Sequence, residues 1–298
     1  MKAMFSKKIV ILVAVVLTAL LATGGYYWWN SQQSTPQNSQ QAEAPSETDA
    51  QKNEEANSSK VWLTATGDML PHDTVNLRAK TESGYNYLQF FSPVASALQN
   101  PDLTFCNQEA PSAGATYGIS GYPTFNAPTE FARDLAGVGC NVINLANNHV
   151  ADKGVAALSK TVEIWKNTND TKAVTGANRN ALEQNQVAYF IEGDIKFAFV
   201  AFTEFSNNRS IPAQNLNIFS EALVNKLVTE ADKNADFVIV SAHWGVEDAT
   251  EPSANQQKWA NLLVKNGADL IIGTGPHVLQ PVERVKSNKN EALVWWSL

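Results

Sequence analysis

Short apolar runs that each stop at a polar cluster constrain this chain more than any other feature. VWLTATGD (61–68), DLTFCNQE (102–109), NVINLANNH (141–149), KFAFVAF (196–202), DFVIVSAHWG (236–245), DLIIGTGPH (269–277) and ALVWWSL (292–298) all read as strands. Their apolar stretches are continuous rather than alternating, which marks strands buried on both faces. Amphipathic segments lie between them: Tyr87 to Leu98, Thr129 to Val138, Gly154 to Asn167, Glu221 to Asn234 and Ala254 to Asn266. Strands alternating with helices predict an α/β domain with a largely parallel sheet covered on its faces.

The polar clusters follow from that reading. In a parallel α/β sheet the carboxyl ends of the strands share one edge, and ligands bind there. Gly67 and Asp68 with His72 close behind, Asn107 and Glu109, Asn147 to His149, His243, and His277 all end strand-like runs. All four histidines of the chain, His72, His149, His243 and His277, fall at or just past such ends. Taken singly, each reads better as a hydrogen-bonded loop histidine; taken as a set they point to a site. One Asp, one Glu, an Asn and several His offer mixed oxygen and nitrogen ligands without thiolate, a set that suits Mn, Zn or Fe. Such a metal polarises a phosphoryl oxygen and lowers the pKa of bound water, which is the chemistry of hydrolysis.

The first sixty residues stand apart. Lys2, Lys7 and Lys8 precede an uncharged run from Ile9 to Trp29, about 20 residues and long enough to span a bilayer as a helix. Residues 1–8 then read as a basic cytoplasmic N-terminus, and residues 9–29 as a single transmembrane signal-anchor. A cleaved signal peptide is the rival, but the run is long for one, and Tyr26 to Trp29 suit a membrane interface. Residues 30–60, rich in Gln, Ser, Asn, Glu, Ala and Pro, bury too little surface to fold and read as a disordered extracellular linker. The globular domain, 61–298, would face outward. With 22 basic against 29 acidic residues and a net charge of −7, a broad nucleic-acid surface is excluded. The same balance disfavours a broad face for a polyanionic polymer.

GDMLPHD, NQEAPSAG, NLANNHVADKG, SAHWGVE and GTGPHVLQPVE, in this order over residues 67 to 283, resemble the motif series of the CapA family of capsule and poly-γ-glutamate biosynthesis proteins. The family is similar to calcineurin-like metallophosphoesterases. The resemblance therefore implies a two-sheet core flanked by helices, with a metal site at strand ends. Carried over, it makes Asp68, Glu109, Asn148, His243 and His277 metal ligands, with Glu109 where phosphoesterases place a bridging aspartate. His149 becomes the residue that protonates a leaving group or steadies the phosphoryl oxygen, and His72 a second candidate facing substrate. By their own places at or near strand ends, Asn107, Asn147, Glu247 and Glu204 read as residues that orient ligands or meet substrate. Family members usually read His-Pro-His where this chain has Gly275-Pro276-His277, which implies one tightly held metal. They also continue past the Trp-Ser-Leu strand, which implies a C-terminally shortened chain.

Two functional classes follow. One is a membrane-anchored hydrolase acting on a phosphoester, or on an amide of a cell-surface polymer or its precursor. The other is a non-catalytic scaffold that keeps the fold and works with membrane polymer-synthase subunits.

Smaller features complete the reading. Asp152 looks like the N-cap of the helix that follows it. Gly114 to Gly121 reads as a flexible loop over the site. Cys106 ends one run and Cys140 opens the next, which in parallel strands separates them by about 15 Å at about 3.3 Å per residue. No disulfide spans that distance, so two buried free thiols are expected.

Overall fold

The computed structural model describes residues 60–288 and 290–298. Strand Ile195–Thr203 shows how its layers are built. Phe197, Phe199 and Ala201 enter one apolar cluster, while Ala198, Val200 and Phe202 enter another on the opposite face. Side chains alternate along a strand, so a run apolar at every position must be covered on both sides.

In chain order the first elements are β1 (Leu63–Met69), α1 (Asp73–Ala79), β2 (Lys80–Thr81), β3 (Gly84–Tyr85), α2 (Leu88–Phe91), α3 (Ala95–Gln99), β4 (Leu103–Gln108) and α4 (Thr129–Gly137). Then come β5 (Val142–Asn144), α5 (Gly154–Lys166), β6 (Ala173–Thr175), α6 (Ala181–Gln184), β7 (Ala188–Glu192), β8 (Ile195–Thr203) and α7 (Glu221–Asn234). The last are β9 (Phe237–His243), α8 (Ala254–Lys265), β10 (Leu270–Thr274), β11 (Val282–Ser287) and β12 (Asn290–Trp295).

A four-stranded sheet in the order β1-β4-β5-β6 is wholly parallel. A six-stranded sheet runs β11-β12-β10-β9-β8-β7. Its four central strands are parallel, and β7 and β11 close its edges antiparallel. The two sheets face one another across a shared core, where Phe105 of β4 meets Phe199 of β8 edge to face at 6.1 Å. Phe131, Ala132 and Leu135 of α4 and Leu158, Val162 and Trp165 of α5 belong to the same core. On the far face of the six-stranded sheet, α7 and α8 bury Val224, Leu227, Val228, Ala260, Leu263 and Val264. Each fully buried Val or Leu side chain contributes about 1.5–3 kcal/mol of transfer free energy.

Local chemistry sets the element ends. Ser253 and Gln256 form a reciprocal capping box at the start of α8, and Ser220 caps α7 through the Leu223 N–H. The amphipathic segment Tyr87 to Leu98 is not one helix, because Pro93 cannot donate in mid-helix; a 3-10 turn at Ser92–Val94 separates α2 from α3. β6 and the exposed edge strand β11 carry no long apolar run and escaped the sequence reading, as did β7 despite its apolar run, Val187 to Ile191. The loop 114–121 is not free. A 3-10 turn forms at Ala115–Tyr117, the Asn126 amide donates to the Gly114 and Gly118 carbonyls, and Gly121 N–H donates to Asp73 Oδ1 at 2.6 Å.

The cysteine expectation fails. Cys106 and Cys140 form a disulfide with Cα atoms 5.8 Å apart. β4 continues past Cys106 to Gln108, and Cys140 precedes β5, in the turn leaving α4, where its N–H donates to the Leu135 carbonyl. The chain there is passing from the helix layer to the sheet, and Asn141 N–H already pairs with the Thr104 carbonyl. Strand rise therefore does not measure the separation.

The anchor and the linker up to residue 59 lie outside the described residues. Among the described residues no helix is long and apolar enough to cross a membrane.

Candidate metal centre

The carboxyl ends of β1, β4, β5, β9 and β10 bring Asp68, Asn107, Glu109, Asn148, His243 and His277 together. In β1, Ala65 pairs with Phe105 but Asp68 pairs with Asn107, so β1 carries one extra residue there. Such a bulge re-aims the side chain beside it. Gly67 occupies the bulge because a Cβ there would meet the Leu298 carbonyl oxygen at 2.7 Å.

Asp68 Oδ1 accepts from the Asn107 amide at 2.6 Å, and Oδ2 accepts from His277 Nδ1 at 2.8 Å and from Gly275 N–H at 3.3 Å. Burial opposes its charge, but the hydrogen bond from His277, the charges of His243 and His277 and the Asn107 bond outweigh burial and hold this carboxyl below its usual range. His277 answers in kind. Its bond to Asp68 raises it to about 9 against partial burial.

Glu109 differs. It is fully buried, and neither carboxylate oxygen has a hydrogen-bond partner. Burial, reinforced by the Asp68 charge, pushes it well above 4.5. Ligand atoms of Asp68, Glu109 and His277 all lie within 4.8 Å of one another. On the other side, His243 Nε2 lies 3.8 Å from Glu109 Oε1 and 3.0 Å from Asn148 Oδ1. His243 Nδ1 faces Thr274 Oγ1 at 3.0 Å and the Asn107 amide at 3.4 Å. Burial lowers His243 to about 4, so the ring is neutral near pH 7. Either ring tautomer of His243 pairs one nitrogen with Thr274 or Asn148, and in both the two Glu109 oxygens are left without a hydrogen-bond partner. Buried acceptors orphaned in this way fit a cation, and the oxygen and nitrogen donors around them fit a divalent transition metal.

Position 275 admits no side chain. Gly275 has φ +112°, and a Cβ would lie 2.7 Å from the Trp244 carbonyl oxygen. The next ring in the loop, His277, reaches Asp68 from an unusual backbone conformation of its own, φ 60°.

The remaining sequence candidates are spread around this centre. Asn147 accepts the N–H groups of His149 and Val150 on Oδ1 and donates to the Gln108 carbonyl, so it shapes the turn that carries Asn148. His149 sits at the rim with its Nδ1 2.7 Å from Asp152 Oδ2. His72 is exposed and meets the Phe125 ring edge to face at 5.0 Å, while Phe125 meets His149 at 4.6 Å. Glu247 is exposed, and its charge helps raise His277 and Glu109. Glu204 braces two elements by accepting from Gly245 N–H at 3.0 Å and from the Asn255 amide.

Asp152 is not a helix cap. The cap position of α5 is Lys153, without a side-chain bond, because the Asp152 carboxylate is turned toward His149 and Phe125 N–H. Asn144, Thr274 and Asn207 were missed by sequence reasoning. Asn144 donates to Asn107 Oδ1 at 2.8 Å, and Asn207 places its amide 3.2 Å from His149 Nδ1. The signal for Asn144 was present: a polar residue inside a fully buried strand needs a partner.

Two curated proteins are similar to the chain. Capsule biosynthesis protein CapA of Bacillus anthracis is 28% identical over 256 residues, 80% of this chain and 59% of that protein. PGA biosynthesis protein CapA of Bacillus subtilis (strain 168) is 31% identical over 160 residues, 52% of this chain and 41% of that protein. The chain thus spans less than two thirds of the length of either relative. A solved structure, of a hypothetical protein from Thermus thermophilus, is 17% identical with a TM-score of 0.43 over 71% of this chain and 70% of that one, too distant to bear on the site. The family model described as bacterial capsule synthesis protein PGA_cap matches residues 62–298, and with that match over the described domain the chain belongs to the PGA_cap family.

Proposed function

We propose that this is a membrane-anchored, outward-facing protein of capsule or poly-γ-glutamate synthesis or export that carries a metal-dependent hydrolase site of metallophosphoesterase type. The observation that carries the hydrolase reading is Glu109, a fully buried carboxylate with two unpartnered oxygens among Asp68, His277, His243 and Asn148. Asp68, Glu109 and His277 would hold a divalent Mn, Zn or Fe ion, with His243 and Asn148 completing the set beyond Glu109. When bound, such an ion supplies Lewis acidity to a phosphoryl oxygen and a nucleophilic water at neutral pH. Asn107 and Thr274 orient Asp68 and His243. His149 protonates the leaving oxygen, and His72 with Phe125 forms a wall along which substrate enters. The glycine at 275 denies a second ion one imidazole, so a single tight site is expected.

Compartment is supported by the disulfide, because such bonds persist outside the cytosol. The lysines before the apolar run at 9–29 support the same orientation. Protease added to intact cells should release the domain by cutting between residues 30 and 60, and cleavage only after lysis would reverse the orientation.

Gly275 also favours a second reading, a scaffold that keeps the fold and assists membrane polymer-synthase subunits. Metal analysis of the purified full chain, with phosphodiester and phosphomonoester substrates assayed in Mn, separates the two. Asn148→Ala should lose metal, whereas His149→Ala should keep it and lose about 10²–10⁴-fold in rate. A chain with no bound metal and no turnover is the scaffold.

A further inference from the structure

Asp152 is a charged side chain only 3% exposed, and the hydrolase reading gives it no task. Its Oδ2 accepts two hydrogen bonds, from His149 Nδ1 at 2.7 Å and from the Phe125 N–H at 2.8 Å. Asp152 N–H in turn donates to the His149 carbonyl at 3.0 Å, closing a tight turn between the two residues. The Phe125 ring stands edge to face on the imidazole at 4.6 Å, and the Asn207 amide flanks the ring as well, 3.4 Å from Nε2. Asn207 N–H is also tied to the Asn148 carbonyl at 2.9 Å.

These contacts fix the imidazole in both orientation and tautomer. A carboxylate can only accept, so the proton between Asp152 and His149 belongs to Nδ1, and Nε2 is the nitrogen left for other chemistry. The ring plane is set by Phe125, whose backbone is held by the same oxygen. One carboxylate therefore positions the imidazole and the loop that packs against it.

We propose that Asp152 is the positioning residue of this site: it holds His149 with Nδ1–H turned inward and Nε2 presented to the leaving group. The inference rests on the hydrolase reading. In its acid form the ring carries a second proton, on Nε2. As the P–O bond breaks, the leaving oxygen keeps the electron pair and takes that proton, leaving the neutral ring with Nδ1–H still held by Asp152. The attacking water places its oxygen on phosphorus and releases the proton that restores the ring. Without Asp152 the ring can rotate or carry its proton on the wrong nitrogen, and the loss should grow with the leaving group's need for that proton.

The test uses the full chain, Asp152→Asn as the shape-conserving variant and Asp152→Ala as the deletion. With ¹⁵N-labelled histidine the four imidazoles can be resolved, and His149→Gln assigns the signal of interest. We expect a proton on Nδ1 of His149 in the parent and its loss in both variants. An Nδ1 proton that persists in Asp152→Ala overturns the proposal, whatever the activity. In Mn, Asp152→Asn should keep its metal and lose at least about tenfold more rate on the phenyl than on the 4-nitrophenyl ester of methyl phosphate, because the poorer leaving group depends more on general acid catalysis. Equal losses on both esters overturn it. A parent that hydrolyses neither ester sinks the hydrolase reading instead, and the NMR result still decides the position of Asp152.

Discussion

Replacing Glu109 by glutamine separates the stability of the fold from that of the metal-bound centre. In the metal-free chain this carboxyl is fully buried, unpartnered and raised well above 4.5 by burial and by the Asp68 charge. A carboxyl whose folded-state pKa is raised binds its proton more tightly when folded. Its contribution to stability is fully present below 4.5 and is lost as pH rises from there through the folded-state value. Glutamine has nearly the same shape and no such proton. Metal-stripped Glu109→Gln should therefore be at least as stable as the stripped parent near neutral pH, and its advantage should widen as pH rises. With metal the order reverses. A ligand at 100 times its Kd stabilises by about 2.7 kcal/mol, which in a domain of this size raises Tm by about 5–10 °C. The parent should gain that shift in Mn, and Glu109→Gln should gain almost none of it. Thermal unfolding of both proteins after EDTA, with and without Mn, measures the four values. A variant that keeps the Mn shift, or that melts below the parent when both are stripped, refutes the reasoning.

Three other perturbations have defined outcomes. Because His277 is held at about 9 by Asp68, its share of metal-free stability is fully present below about pH 6.5 and is lost as pH rises through about 9. Its proton must also leave before the ring can bind a cation, so Zn affinity by calorimetry should be stronger at about pH 8.5 than at about pH 6.5, and a flat profile excludes His277 as a ligand. Gly275→Ala imposes a side chain at φ +112° and 2.7 Å from the Trp244 carbonyl, which should cost about 1–3 kcal/mol and weaken metal binding; an unchanged Tm would show that the backbone relaxes freely. Replacing both Cys106 and Cys140 by alanine removes a cross-link worth about 3–4 kcal/mol by its loop length and should lower Tm by about 10 °C, whereas an unaltered melt would show that the bond adds no stability.

The layers and the strand-end edge were legible because burial leaves a repeating mark in sequence. Phe197 to Phe202 must be covered on both faces, and Asp68, Glu109, His243 and His277 each interrupt a run that would otherwise stay apolar. Distance across the fold was not legible. Cys140 looked like the start of a strand and is a turn residue reaching β4 from the helix layer. Asp152 had the spacing of a cap, yet local spacing competes with tertiary partners, and the imidazole of His149 and the N–H of Phe125 win. Asn144 and Asn207 look like ordinary asparagines until the partners that need them are in place.

The sulfur bridge has a topological consequence. Residues 106 to 140 form a covalent ring that carries Asn107, Glu109 and Phe125, and its most open stretch, including Ala115, Thr116, Gly118 and Tyr122 to Thr124, is exposed. Outside a cell that stretch is the natural target of a protease. A single cut within it opens the ring without releasing either end: the strand bearing Asn107 and the segment after the cut stay joined through Cys106 and Cys140. A nicked molecule would run as one species until a reductant is added, and its centre would outlast the integrity of its chain.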